Sequence, residues 1–511
     1  MKITPIAICI LSVGLSLATL SEAKNKDYHH IKHPSHNHKH ADYIHHNHAN
    51  HHHKHLPADK AGKHHHHYHN APAAIPHVPY YGHDDSRKHR NEEPKVDNAP
   101  QTTPNENPLV ITTPEDDHED KQKLHSKNPA ENAPIPRRTE KMVVAYWTDW
   151  TSDSMPPEAI PFDKVTHINY AFAIVRPDLR PVFETHHLLN RVVREAHAKG
   201  VKVLMSIGGW TGSQYFSPMA ATKQGRKTFI DGAVHFVQEY NLDGIDIDWE
   251  YPGRLGSACN AFDEKNDANN FLILLQELRA AFRELPRGDQ LEISLATRIV
   301  PFDGPNGQMT DVSEFAKVVN HINVMAYDIN GSWGSVTGAN APLAGNGLTY
   351  ESGASAWINA GFPAEQINMG VPFYGRSLIT KQDMSGSHTI AAPFDSRVPV
   401  GDDDDGLWTD PCEKTAAYSG VWKFRNLREQ RVIDAQGHAL APWIRKFDVD
   451  SMTPWLFNPQ TKQFISYDDR ESLRLKVLYA REKKLGGVML WAINQDTADF
   501  ELLNVLQDVR A

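Results

Sequence analysis

Cysteine is scarce in this sequence: Cys9, Cys259 and Cys412 are the only three in 511 residues. That excludes a disulfide-dense scaffold. Cys259 and Cys412 either form one bridge or stay as two free thiols, because sequence spacing says nothing about their distance. Long apolar runs are scarce as well. The stretch Ile6–Leu20 follows Lys2 and precedes Ser21-Glu22-Ala23, and its roughly 15 apolar residues fall short of the ~20 that span a bilayer. It reads as a secretory signal over residues 1–23, which would carry Cys9 away with it. The C-terminal Gln507-Asp508-Val509-Arg510-Ala511 has no lipid-anchor pattern. A secreted, extracellular monomer with no membrane partner is expected. Basic charge is in deficit too. Lys and Arg number 53 against 63 Asp and Glu, a net charge of −10, which argues against a nucleic-acid partner.

Residues 24–138 lack Trp and Phe altogether but hold 13 prolines and 23 of the 31 histidines, in runs such as His51-His52-His53 and His64-His65-His66-His67. Such a composition cannot bury enough apolar surface to offset the entropy of ordering the chain. A disordered, low-complexity extension is therefore expected. Its 16 Lys and Arg nearly balance its 15 Asp and Glu, which leaves the negative charge on residues 139–511. Histidine runs are consistent with loose metal binding, with adhesion to anionic cell walls once protonated, or with an inert spacer.

From Lys141 the pattern changes. Short apolar runs at Met142–Tyr146, His167–Phe172, Val201–Ile207, Gly244–Asp248, Leu291–Ala296, His321–Ala326, Ile367–Val371 and Gly487–Leu490 alternate with helical patterns such as Leu188–Ala198, Thr228–Tyr240, Ala268–Leu285 and Glu471–Lys484. Eight buried strands alternating with helices predict an α/β fold, a (β/α)8 TIM barrel over residues 139–511. A doubly wound open sheet is the competing architecture. One long interval, residues 377–467, is too long for a bare loop and predicts a small α+β insertion domain. Its tetrad Asp402-Asp403-Asp404-Asp405 lacks the alternating ligand spacing of a calcium loop and reads as a solvated acidic turn. No resident metal or cofactor is implied.

The segment from Asp243 to Pro252, DGIDIDWEYP, carries most of the chemical information. Alternate residues of a strand share a face, ~6–7 Å apart. Asp246, Asp248 and Glu250 should therefore point into the barrel, and Ile245, Ile247 and Trp249 toward the helices. Acids stacked this closely raise one another's pKa, which keeps a carboxylic acid protonated for use as a general acid. Glu250 comes last, at the C-terminal strand end where TIM barrels place catalysis.

With all four acids present, this segment resembles the Asp-x-x-Asp-x-Asp-x-Glu signature of family-18 glycoside hydrolases, the chitinases and their relatives. The motifs Ser206-Ile207-Gly208-Gly209-Trp210, Met325-Ala326-Tyr327-Asp328 followed by Gly331-Ser332-Trp333, Gly370–Arg376 and Gly486–Trp491 resemble the family's third-, sixth-, seventh- and eighth-strand motifs. The insertion falls where the deep-cleft branch carries its α+β domain. The resemblance implies a retaining, substrate-assisted hydrolysis of chitin and chitooligosaccharides. It implies Glu250 as general acid, Asp248 and Asp246 as its partners, Tyr327 and Asp328 as further catalytic residues, and Trp491 as the floor of the −1 subsite. Trp210 and Trp333 would stack on leaving-group sugars, with Tyr146, Asp243, Met325, Tyr374 and Arg376 completing the binding surface. Arg376 also has a simpler reading, neutralisation of an acidic cleft. A carbohydrate-binding lectin is the alternative from another class, since some family-18 barrels have lost activity, though these typically lack the Glu or its neighbouring Asp.

Overall fold

The computed structural model describes residues 140–410, 412 and 414–511. The signal segment and histidine-rich extension expected from the sequence lie outside the described residues. Eight parallel strands, Met142–Thr148, His167–Val175, Lys202–Gly208, Gly244–Asp248, Glu292–Arg298, His321–Met325, Ile367–Pro372 and Gly487–Trp491, pair in chain order. The first strand bonds both the eighth and the second, so the sheet closes. This is the expected barrel, and closure excludes the open doubly wound sheet.

The strands form where the sequence runs apolar because both faces are covered. Met142, Val144 and Tyr146 pack inside the barrel with Ala171, Ala296 and Met489. Val143, Ala145 and Trp147 face the outer core, as do Ile245, Ile247 and Trp249. Trp249 stacks on Phe216 at 5.3 Å and meets Phe271 edge-on at 5.2 Å. These rings fasten the fourth strand to the helices Phe216–Ala221 and Asp267–Arg283. An aromatic pair of this kind adds ~0.5–1.5 kcal/mol beyond the area it buries. With one face committed to this packing, the acids of the strand must face inward.

The α+β insertion is a five-stranded antiparallel sheet in the order Val421–Lys423, Tyr374–Ile379, Gln463–Ser466, Thr453–Asn458, Ile444–Asp448, with one short helix, Phe424–Glu429. Its first strand begins at Tyr374, ahead of the expected opening at residue 377, because only Phe373 separates it from the seventh barrel strand. Tyr374 and Arg376 thus stand on the insertion sheet. The acidic tetrad is a turn, as expected, but it is solvated only in part. Asp402 is 1% exposed, accepts the Lys423 N–H at 2.7 Å and faces the Lys423 ammonium. Asp404 pairs with Arg425 at 2.9 Å, and Asp405 accepts the N–H groups of Gly401 and Gly420. Cations and backbone donors of the insertion thus hold Asp402 out of water and Asp404 and Asp405 partly so, while Asp403 stays exposed. Cys259 and Cys412 form a disulfide. Among the described residues, no helix is long and apolar enough to cross a membrane.

Candidate active site

The fourth strand delivers its acids at increasing height. Asp246 is fully buried and accepts three hydroxyl hydrogen bonds, from Tyr146 at 2.7 Å, Ser206 at 2.8 Å and Ser294 at 2.5 Å. Burial raises its pKa and these donors oppose the rise. Asp248 is held well above the usual carboxylate range, first by burial and then by the charges of Glu250 and Asp246. Its Oδ1 is buried without a hydrogen-bond partner. Glu250 is pushed up to about 7, chiefly by burial and further by the charge of Asp328, with a hydrogen bond from Tyr251 acting the other way. Asp248 and Glu250 line one cleft of about 1280 Å³ at the C-terminal end of the barrel.

Backbone contacts set this register. Gly208 pairs with Asp248 across the third and fourth strands, at φ +120°, and a Cβ there would lie 2.1 Å from the Asp248 carbonyl oxygen. Only glycine admits that approach. The Glu250 N–H donates to the Ser213 hydroxyl at 2.9 Å, and the Asn260 amide donates to the Glu250 carbonyl at 2.9 Å. Glu250 is thereby fixed from both sides of its peptide.

Opposite the acids, Asp328 has a left-handed backbone at φ 57°, a conformation Asp tolerates better than most residues. Its carboxylate receives Arg376 through Nε and Nη2, each at 2.6 Å, and the Tyr374 hydroxyl at 2.6 Å. Arg376 also lies over the Trp333 ring, 5.0 Å from its centroid. Neutralisation by Arg376 therefore acts on Asp328 in particular. Among the described residues the Tyr327 hydroxyl donates to the Met489 sulfur, at 3.8 Å, a weak acceptor that leaves it able to donate into the cleft. Trp491 packs against Tyr146 at 5.5 Å and near-parallel to Phe172 at 5.7 Å. Trp210 and Trp333 stand at the cleft 47% and 57% exposed.

Nearly all the residues expected from the sequence converge here: Glu250, Asp248, Tyr327, Asp328, Trp491, Trp210, Trp333, Tyr146, Met325, Tyr374 and Arg376 all line the cleft. Tyr146 spends its hydroxyl on Asp246, and Asp246 itself sits beneath the cleft. Asp243 does not belong to the site. It precedes the fourth strand, seven residues from Glu250, roughly 20 Å at strand rise, and it accepts the Val203 N–H at 2.9 Å and faces His197 at 2.8 Å. Its work is to tie the base of the barrel together. Sequence reasoning missed Phe172, Trp150, Tyr251 and Trp408, which also line the cleft. Phe172 sits near the C-terminal end of the second strand, so the strand-end rule could have found it. Trp408 carried no such signal.

A raised carboxylic acid, a second raised carboxyl with an open acceptor, and aromatic walls can bind a sugar polymer and protonate a glycosidic oxygen. The model of the glycosyl hydrolases family 18 matches residues 142–496. A "chitinase-like effector" of Moniliophthora roreri is 40% identical over 373 residues, covering 70% of this chain and 89% of that protein. The crystal structure of a chitinase from Rhizomucor miehei superposes with a TM-score of 0.67 at 36% identity, over 73% of this chain and all of that one. A Cycas revoluta chitinase solved in complex with (GlcNAc)3 superposes with a TM-score of 0.61 at 26% identity, over 72% of this chain and all of that one. With barrel, acid ladder and family match in agreement, the chain belongs to the family-18 glycosyl hydrolases.

Proposed function

We propose that this protein hydrolyses β-1,4 linkages of chitin by a retaining mechanism in which the substrate's own acetamido group is the nucleophile. The observation that carries the reading is the pairing of Asp248 Oδ1, buried with no partner, with Glu250, protonated up to about pH 7. A buried carboxylate oxygen without a partner calls for a donor, and an acetamido N–H at the −1 sugar supplies one. The acetamido oxygen attacks its anomeric carbon as Glu250 passes a proton to the leaving oxygen. The resulting oxazolinium cation is stabilised by Asp248, which shares its proton with Asp246 below it as the positive charge develops. Glu250, now ionised, takes a proton from water, and the water oxygen attacks the same carbon. Tyr327 holds the acetamido oxygen in line, Trp491 supports the −1 ring, and the Asp328–Arg376–Tyr374 clamp borders it. Kinetics of Glu250→Gln on chitohexaose test the assignment. The expected loss in kcat is ~10²–10⁴-fold or more, with binding retained; activity within tenfold of the wild type contradicts it.

A second reading, sugar binding without turnover, has one observation in its favour: the Moniliophthora roreri relative is described as a "chitinase-like effector". The same assay separates the two, since a binding protein holds chitohexaose and never shortens it. The intact acid ladder favours turnover.

A further inference from the structure

Trp408 takes no part in the chemistry above. It lies on an arm of the insertion, where Trp408–Thr409 pairs antiparallel with Ala416–Ala417. A tryptophan has more apolar surface to hide than any other side chain, yet Trp408 is 38% exposed and lines the same cleft as Glu250, Trp210 and Trp333. Its position is fixed by covalent means. Four residues on, Cys412 is bonded to Cys259 in the segment that follows Glu250. The adjacent Asn260 donates to the backbone carbonyls of Trp210, at 3.1 Å, and Glu250, at 2.9 Å. Within the arm, Asp410 accepts the Cys412 N–H at 2.7 Å. A short chain of bonds therefore runs from Trp408 to the general acid and to Trp210.

A lone exposed apolar side chain is ordinary. Three exposed tryptophans around one cleft, one of them on a tethered arm, form a stacking surface for sugar rings. We propose that Trp408 is a specificity-determining residue that stacks on the N-acetylglucosamine polymer beyond the scissile bond, and that the Cys259–Cys412 disulfide positions it there. This rests on the reading of the cleft as a chitin site with Trp210 on the leaving-group side. It adds a recognition element from the insertion that selects for long substrates.

The test compares kcat/KM on chitohexaose with that on an aryl chitobioside, whose small leaving group cannot reach the arm. In Trp408→Ala the hexamer-to-aryl ratio is expected to fall about three- to tenfold, the range of one aromatic stack. Trp408→Phe should restore most of the ratio, and Trp408→Leu should not. The double variant Cys259→Ser/Cys412→Ser should lose the same selectivity, with little further loss on adding Trp408→Ala. An unchanged ratio in Trp408→Ala, or equal values for the Phe and Leu variants, overturns the proposal. Calorimetric binding of chitohexaose separates it from the reading beneath it. If the wild type binds but does not cleave, weaker binding by Trp408→Ala still supports the arm, and equal binding overturns it. If the wild type neither binds nor cleaves, both fall.

Discussion

Glu250 owes its protonation near neutrality first to burial and then to the nearby charge of Asp328. Activity that needs the protonated acid should fall as pH rises through about 7. Asp328→Asn removes a negative charge that holds the acid form and releases the Arg376 guanidinium from its pair. Both changes favour ionised Glu250, so the alkaline limb of the kcat/KM profile should move to lower pH. A limb that stays in place or moves upward contradicts the electrostatic account. The acids at 246, 248 and 250 were legible because strand alternation alone puts them on one face. Asp243 shows the limit of that reasoning: it shares the motif but lies on the far side of the strand's length, where spacing in sequence becomes distance in space. Its partners His197 and Val203 come from other elements, and no local pattern announces them.

Barrel strands were the easiest elements to read, because parallel strands covered on both faces appear as short apolar runs. The insertion was legible only as excess length. Its sheet is antiparallel and joins segments up to about ninety residues apart, so register and edges could not be read locally. The burial of Asp402 and the pairing of Asp404 were missed for the same reason, since Lys423 and Arg425 arrive from some twenty residues downstream. Asp402 gives that element a stability test. Asp402→Ala leaves the Lys423 N–H without its acceptor and the Lys423 ammonium with Asp404 alone, at 3.2 Å, which should cost ~1–3 kcal/mol. Urea unfolding should show a lower midpoint, and limited proteolysis should cut first within residues 377–467. An unchanged midpoint would mean that the carboxylate is not an organising group of the insertion.

At the scale of the whole molecule, the histidine-rich residues 24–138 and the barrel are expected to do separate work. Imidazoles with ordinary pKa values gain charge between about pH 7 and pH 5.5, which turns a nearly neutral tract into a polycation. Full-length protein should then be retained on anionic cell walls more strongly at pH 5 than at pH 7.5, in a salt-sensitive way, relative to a chain starting at Arg138. Loose metal binding has the opposite pH sign, because protons compete for the ring nitrogens, and chelator-sensitive retention confined to pH 7.5 would identify it. Equal retention of the two chains under all conditions would leave the tract a spacer. Hydrolysis of soluble oligomers should be equal for both, since Asp246, Asp248, Glu250 and the aromatic residues named at the cleft all follow Arg138 in the chain. The central claim concerns the bond that is broken and the group that attacks it. Proton NMR of chitohexaose during the first minutes of hydrolysis reads both directly. Two inversions at one carbon predict the β-anomer as the first product, with the α-anomer appearing only by later mutarotation. Initial release of the α-anomer, or no cleavage at all by the wild-type protein, would contradict the account.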